Sequence, residues 1–341
     1  MNSCFSKKRV LLYSGLLAFA MSSAFAGDTP LIFANNYVST GAGAWVKGNI
    51  QANNYVTTGA NSNVSGDILT GAAATLGAYA EVGGVISADA AITAGANADV
   101  KGTVKHGSAF TLTEGINSDI EFGSYVSQPS VTFNNQDVIE AQAAYSDMGL
   151  KEEETSLPPT ITINTTLTPG LYSAASLATT AGITITLNGT GTNNTDHWVF
   201  NITDILSFGA NTKIELSNTG NKSRIIWNSG GYTSVGAGAQ IKGIILAHAY
   251  VSTGAGSTLS GVDSCGSIFS ATSYVSIGAL SEVGLNDCST NPILLQVAEA
   301  ANEDAANEDA AHAESKDDNE FPEASVDGLT PPPEITNFLN G

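Results

Sequence analysis

One phrase recurs through this chain and limits what it can fold into. Asn35–Ala52 reads NNYVSTGAGAWVKGNIQA, and Asn53–Thr70 repeats it 18 residues later as NNYVTTGANSNVSGDILT. Gly71–Ala88 and Asp89–His106 keep the same frame, and Gly107–Ser124 follows it loosely. Far downstream the phrase returns at Tyr232–Ala247, Tyr250–Gly261 and Tyr274–Gly284. A short fixed period on both sides of unlike sequence marks a solenoid, in which each unit buries its apolar face only by stacking on its neighbours.

Within each unit the residues alternate, as a strand requires. Val38, Val56, Ala74, Ile92, Phe110, Val251 and Val275 form an apolar column expected to point inward. The column beside it is Ser39, Thr57, Thr75, Thr93, Thr111, Ser234, Ser252 and Ser276, all short hydroxyl residues expected to point outward. A second run places Val46, Val64, Val82, Val100, Ile241, Leu259 and Val283 inside, and a third Ile50, Ile68, Ile86 and Val104. Three short strands per unit, with glycine at corners that call for positive φ, predict an all-β solenoid of triangular section. Eight such coils would stand about 40 Å tall.

The flanks read differently. Lys7-Lys8-Arg9, the apolar Val10–Phe19 and the small-x-small Ala24-Phe25-Ala26 make residues 1–26 an export signal cleaved after Ala26. A secreted protein with no membrane insertion is expected. The chain has 12 Lys and Arg against 32 Asp and Glu, and losing the leader makes the balance more acidic still. Such a charge disfavours nucleic acid and anionic membranes as partners. Residues 298–341, with a tandem ANEDA followed by acidic and Pro-rich sequence, read as an acidic disordered tail. The folded domain is then residues 27–297.

Inside it, Asn134–Gly149 is the one clear helix. Asn134 or Asn135 caps it, Asp137 lies in its first turn, and Val138, Ala141, Tyr145 and Met148 form one apolar stripe that should lie along a side of the solenoid. Ile161–Ile163, Ile183–Leu187, Trp198–Ile202, Lys213–Leu216 and Ile225–Trp227 read as further strands. Cys265 and Cys288, the cysteines that remain after export, are expected to form a disulfide that staples the last coil.

No catalytic constellation stands out. His106, His197 and His248 lack partner motifs and are expected at the surface or at solenoid edges, and the carboxylates Asp67 and Asp99 are scattered. Neither metal-ligand spacing nor a phosphate-binding loop is present, so no enzyme activity, cofactor or metal is expected.

Several stretches resemble the ice-binding-like family of secreted microbial proteins, also called the DUF3494 domain. Leu167-Thr168-Pro169-Gly170-Leu171-Tyr172 is similar to its L-T-P-G-V-Y, and His197–Ile202 stands where the family has A-V-F-I-F-Q-I. Ile225–Asn228 stands for its hydrophobic-Phe-Trp-Gln, and Gly236–Ala247 for its G-x-G-x-x-F-x-G-N-I-L-A. The resemblance implies a three-faced, right-handed, discontinuous β-helix with one α-helix packed alongside. It also implies adsorption to ice through a flat face, by slow or irreversible binding that inhibits ice growth and recrystallisation. The family's ice motif, Thr-Ala/Gly-x-Thr/Asn, is met by Thr58-Gly59-Ala60-Asn61; Thr40-Gly41-Ala42-Gly43 and Thr253-Gly254-Ala255-Gly256 depart from it at the last place. Thr40, Thr58, Asn61 and Thr253 therefore join the hydroxyl column as candidate ice contacts of an expected monomer. The competing reading is a matrix or adhesion protein of the same fold that binds extracellular polysaccharide or cell surfaces through Tyr37, Tyr55, Tyr232, Tyr250 and Tyr274. On that reading ice is not the partner, and the tyrosine rows are the binding surface.

Overall fold

The computed structural model describes residues 30–126, 131–151, 154–191, 195–220, 223–262 and 266–284. Their architecture is a parallel β-helix built from three ladders and one helix. The export signal, the acidic tail and both cysteines of the expected disulfide lie outside these residues.

The first ladder has eleven strands, three more than the repeats in the sequence imply. Its order is not the order of the chain. Tyr37–Thr40 sits mid-ladder, with Tyr55–Thr57 on one side and Val275–Ile277 on the other. From Tyr37 the chain coils outward through Ala74–Leu76 and Ile92–Ala94 to Leu112–Thr113. It then reaches the opposite end by way of the helix α1 (Asn135–Lys151) and coils back through Thr160–Ile161, Leu177–Thr179, Leu206–Phe208, Thr233–Val235 and Val251–Thr253 to meet its own first coil. The discontinuity implied by the resemblance is this seam, which the other two ladders share: Ile32 pairs with Ile268, and Val46 with Val283.

Period-two burial builds each rung. Val38, Val56, Ala74, Ile92, Val251 and Val275 point inward and are buried, as are Ile50, Ile68, Ile86 and Val104 of the third run. The narrow early coils are filled by Val, Ile and Ala. The wider late coils need larger side chains, and Trp198, Phe200, Phe208 and Trp227 fill them, with Phe200 and Trp227 stacked at 4.0 Å. Those coils contain the five strands read from Thr160 onward, but Leu177 and Leu206 are register partners 29 residues apart. The 18-residue period is invisible there because the corners are longer.

The third ladder is buried on both sides, as in Ile32–Ala34, Ile244–Ala247 and Ser267–Ser270. Its outward residues Phe33, Leu171, Val199, Ile226, Leu246 and Phe269 form a second apolar cluster with Phe133, Val138 and Ala141, so α1 lies on this ladder as its apolar stripe requires. Asn134 caps α1: its Oδ1 accepts from the Gln136 amide at 2.8 Å, and the Asp137 carboxylate accepts from the Asn134 amide at 2.8 Å. The helix runs two residues past Gly149, the stop expected from the sequence. Buried Gln142 fixes its height on the ladder by donating to the carbonyls of Ser229 (3.0 Å) and Leu246 (3.2 Å).

The second ladder carries charge outward. Asn63, Glu81, Asp99 and Asp119 share one column there. Lys47 pairs with Glu282, Lys101 pairs with Asp99, and the Lys47 ammonium lies 4.4 Å from the Trp45 ring centre.

Candidate ice-binding face

The outward side of the eleven-strand ladder is covered by nothing in the described structure, and three columns run along it. Register partners give the central column in full: Thr113, Thr93, Thr75, Thr57, Ser39, Ser276, Ser252, Ser234, Ser207, Ala178 and Thr160. Ten of these eleven positions hold a hydroxyl, and no residue of the column is charged. Neighbouring rungs stand about 4.8 Å apart, which fixes the hydroxyl rows as a lattice.

Five candidates from the sequence are placed elsewhere. Ile92 pairs with Leu112 and Thr93 with Thr113, so Thr113 takes the central place expected for Thr111. The loose fifth coil carries two extra residues, turned back by the Phe110 amide on the Gly107 carbonyl, and Phe110 is exposed rather than inside. Thr111 falls in the flanking column, where its carbonyl accepts from the Ile92 amide. Thr40 and Thr58 point inward and are buried. Their hydroxyls accept from the amides of Gly59 and Gly77 in the adjacent coil, both at 3.3 Å, so these threonines satisfy backbone donors at a corner instead of facing a ligand. Half-buried Thr253 has the same task toward Gly278 at 2.9 Å. Asn61 is exposed, but it lies past the corner and supplies a left-handed residue with φ 55°.

The corner glycines are explained by space rather than by φ. A Cβ on Gly77 would lie 2.4 Å from the Gly59 carbonyl carbon, and one on Gly59 2.4 Å from that of Gly41. This glycine ladder forms the column on one side of the hydroxyls and keeps it low. Positive φ comes two residues later, at Gly43, Asn61, Asn97, Asn117, Asn211, Gly238 and Gly256, and also at Tyr79 and Leu280.

The column on the other side holds a ladder of tyrosines. Tyr55, Tyr37, Tyr274, Tyr250 and Tyr232 stack in that order, with ring centres 4.7 to 5.0 Å apart and planes within 7°. Each interior ring has both faces covered by its neighbours, so sugars could stack only on the two terminal rings. Desolvation, then the neighbouring phenols, holds the Tyr37 and Tyr250 hydroxyls above their ordinary pKa. Beyond Tyr55 the column continues as Ala73 and Ala91, which accept from the amides of Val56 and Ala74.

His106, expected at the surface or at a solenoid edge, is buried beneath Phe122 and Tyr125, its Nδ1 2.9 Å from the Gly107 carbonyl oxygen. His197 and His248 are exposed. Among the described residues, no group of three or more His, Cys, Asp or Glu side chains is arranged to hold a metal ion.

Residues 104–281, more than half of the chain, match the model of the Ice-binding-like family. The chain belongs to that family. Ice-binding protein K1-A of Typhula ishikariensis is 38% identical over 81 residues, which is 24% of this chain and 32% of that protein. An ice-binding protein of Leucosporidium sp. (strain AY30) is 33% identical over 97 residues, 28% of this chain and 35% of the other. The chain thus spans about a third of the length of the curated relatives it matches. Among solved structures, the DUF3494 domain of Shewanella frigidimarina ice-binding protein 1 is similar over 74% of this chain and 92% of its own, with 20% identity and a TM-score of 0.44. The coils before residue 104, which carry Thr57, Thr75 and Thr93, precede the segment that matches the Ice-binding-like family.

Proposed function

We propose that this member of the Ice-binding-like family is an exported protein that adsorbs to ice through the outward side of its eleven-strand ladder and slows ice growth and recrystallisation without chemistry. The observation that carries this reading is the hydroxyl column, Ser or Thr at ten of eleven positions in register, on a side with no charged residue in its three columns. Ice is a regular solid, and a partner for it has to be stiff, flat and periodic. The ladder spacing supplies one period, and alternate residues along a strand supply another of about 7 Å. Short side chains lose little rotamer entropy when they dock, and threonine is already stiff at χ1. The relatives named as ice-binding proteins support the same reading.

The test is thermal hysteresis and recrystallisation inhibition by the purified chain. Ice should grow as faceted crystals held within a hysteresis gap. Crystals that grow as they do in buffer alone would overturn the proposal.

A further inference from the structure

The hydroxyl side is not uniform. On the rungs of Ser39, Ser276, Ser252 and Ser234, the outward residue two places earlier is a stacked tyrosine: Tyr37, Tyr274, Tyr250 and Tyr232. On the rungs of Thr75 and Thr93 that place holds Ala73 and Ala91, and on the Thr113 rung Thr111. Thr57 stands at the border, beside the last ring, Tyr55. Exposure changes at the same line. Thr75, Thr93 and Thr113 are exposed, whereas the four serines beside rings are half-buried.

We infer that ice contact is confined to the threonine end of this side, on Thr57, Thr75, Thr93 and Thr113 with Ala73, Ala91 and the glycine ladder around them, and that the tyrosine ladder is its border. This rests on the ice reading above and narrows it. A flat solid touches the highest groups first. A tyrosine ring reaches farther from the backbone than a serine hydroxyl, so the ladder holds a plane off the serine rungs. On the Thr75 and Thr93 rungs only alanine methyls and bare glycine backbone flank the column, and on the Thr113 rung Thr111 takes the alanines' place, so beyond the border ring Tyr55 nothing in the three columns rises above threonine. The chemistry differs as well. Threonine presents a methyl that excludes water beside a hydroxyl that orients it, in one preferred rotamer, while serine lacks the methyl. The four threonine rungs span about 14 Å, a lattice of four rows. Three of them lie on the coils before residue 104, so this patch is largely the work of coils outside the matched segment.

The experiment compares two matched pairs in the full chain: Thr75→Tyr with Thr93→Tyr, and Ser234→Tyr with Ser252→Tyr. Thermal hysteresis and recrystallisation inhibition should be lost in the first pair and kept in the second. Circular dichroism and melting monitor the fold. A conservative pair, Thr75→Ser with Thr93→Ser, removes only the methyls and should lower hysteresis with an unchanged spectrum. Equal loss in the two tyrosine pairs would overturn the confinement while leaving ice binding by the whole side in place. Full activity in the threonine pair would overturn the patch itself. An inactive parent chain would overturn both the patch and the ice reading.

Discussion

Tyr37 and Tyr274 stack ring on ring at 4.8 Å although they come from the first and the last coil of the described chain. Their strands are register partners, and the pair lies across the seam at which the chain closes on itself. A stacked aromatic pair adds about 0.5–1.5 kcal/mol beyond the area it buries. A double-mutant cycle of Tyr37→Ala and Tyr274→Ala, followed by denaturant unfolding, should return a coupling energy of that order. Additive single effects would show that the seam is held by its backbone and its core alone.

The glycine ladder and the inward threonines act as one device. In Gly77→Ala the new methyl meets backbone, which cannot swing aside as a side chain could. The expected loss is about 1–3 kcal/mol or more, the cost of overpacking. Thr58→Val keeps the shape but removes the acceptor of the Gly77 amide, and should cost about 1 kcal/mol for the half-buried donor left without a partner. Chemical denaturation of both variants checks the pair.

Two corners are out of keeping with the rest. At the place where most coils put Gly or Asn, Tyr79 and Leu280 take φ 57° with side chains 58% and 74% exposed. Side chains other than Gly, Asn and Asp lose about 1–2 kcal/mol in that conformation. With so little packing to forfeit, Tyr79→Asn and Leu280→Asn should each stabilise the fold by about 1 kcal/mol, read as a rise in melting temperature of roughly 2–4 °C. A fall would show that these exposed side chains make contacts worth more than the strain.

Stability should decline on the alkaline side through the phenols. Burial beneath the solenoid's helix raises the Tyr145 pKa, with Arg224 opposing it more weakly, and desolvation followed by neighbouring phenols raises those of Tyr37 and Tyr250. Groups that hold their proton more tightly when folded contribute stability that is complete below the unfolded value of about 10 and is lost as pH rises through the folded value. Melting temperature against pH should therefore fall above about pH 10, with part of the phenolate absorbance appearing only on unfolding. Ice activity should be flat between about pH 5 and 9, because the three columns of the hydroxyl side hold no carboxylate, imidazole or amine.

Much of the architecture was legible because the early coils are short and regular. Val38 to Ile92 and Ile50 to Val104 fall where a period of two and a repeat of 18 put them, and α1 declares itself by its cap and stripe. Register was lost where corners change length. Two extra residues moved Thr111 out of the hydroxyl column, and the long corners after residue 160 hid Ser207 and Thr160 from it. Side-chain direction misled at Thr40 and Thr58, because a motif written along one strand mixes residues of both sides. The register partners that reveal Ser207 lie in other coils, and no pattern local to that stretch points to them.

The length of α1 sets a limit on growth. Its 17 residues rise about 26 Å. The six coils it rests on, from that of Leu171 to that of Phe33, span about 24 Å. A coil inserted among those six would demand roughly three more helical residues to cover it. The coils beyond Gln51, which bear Thr57, Thr75 and Thr93, are under no such measure. Duplication or loss of an 18-residue unit there changes the number of threonine rows while the half beneath the helix stays as it is.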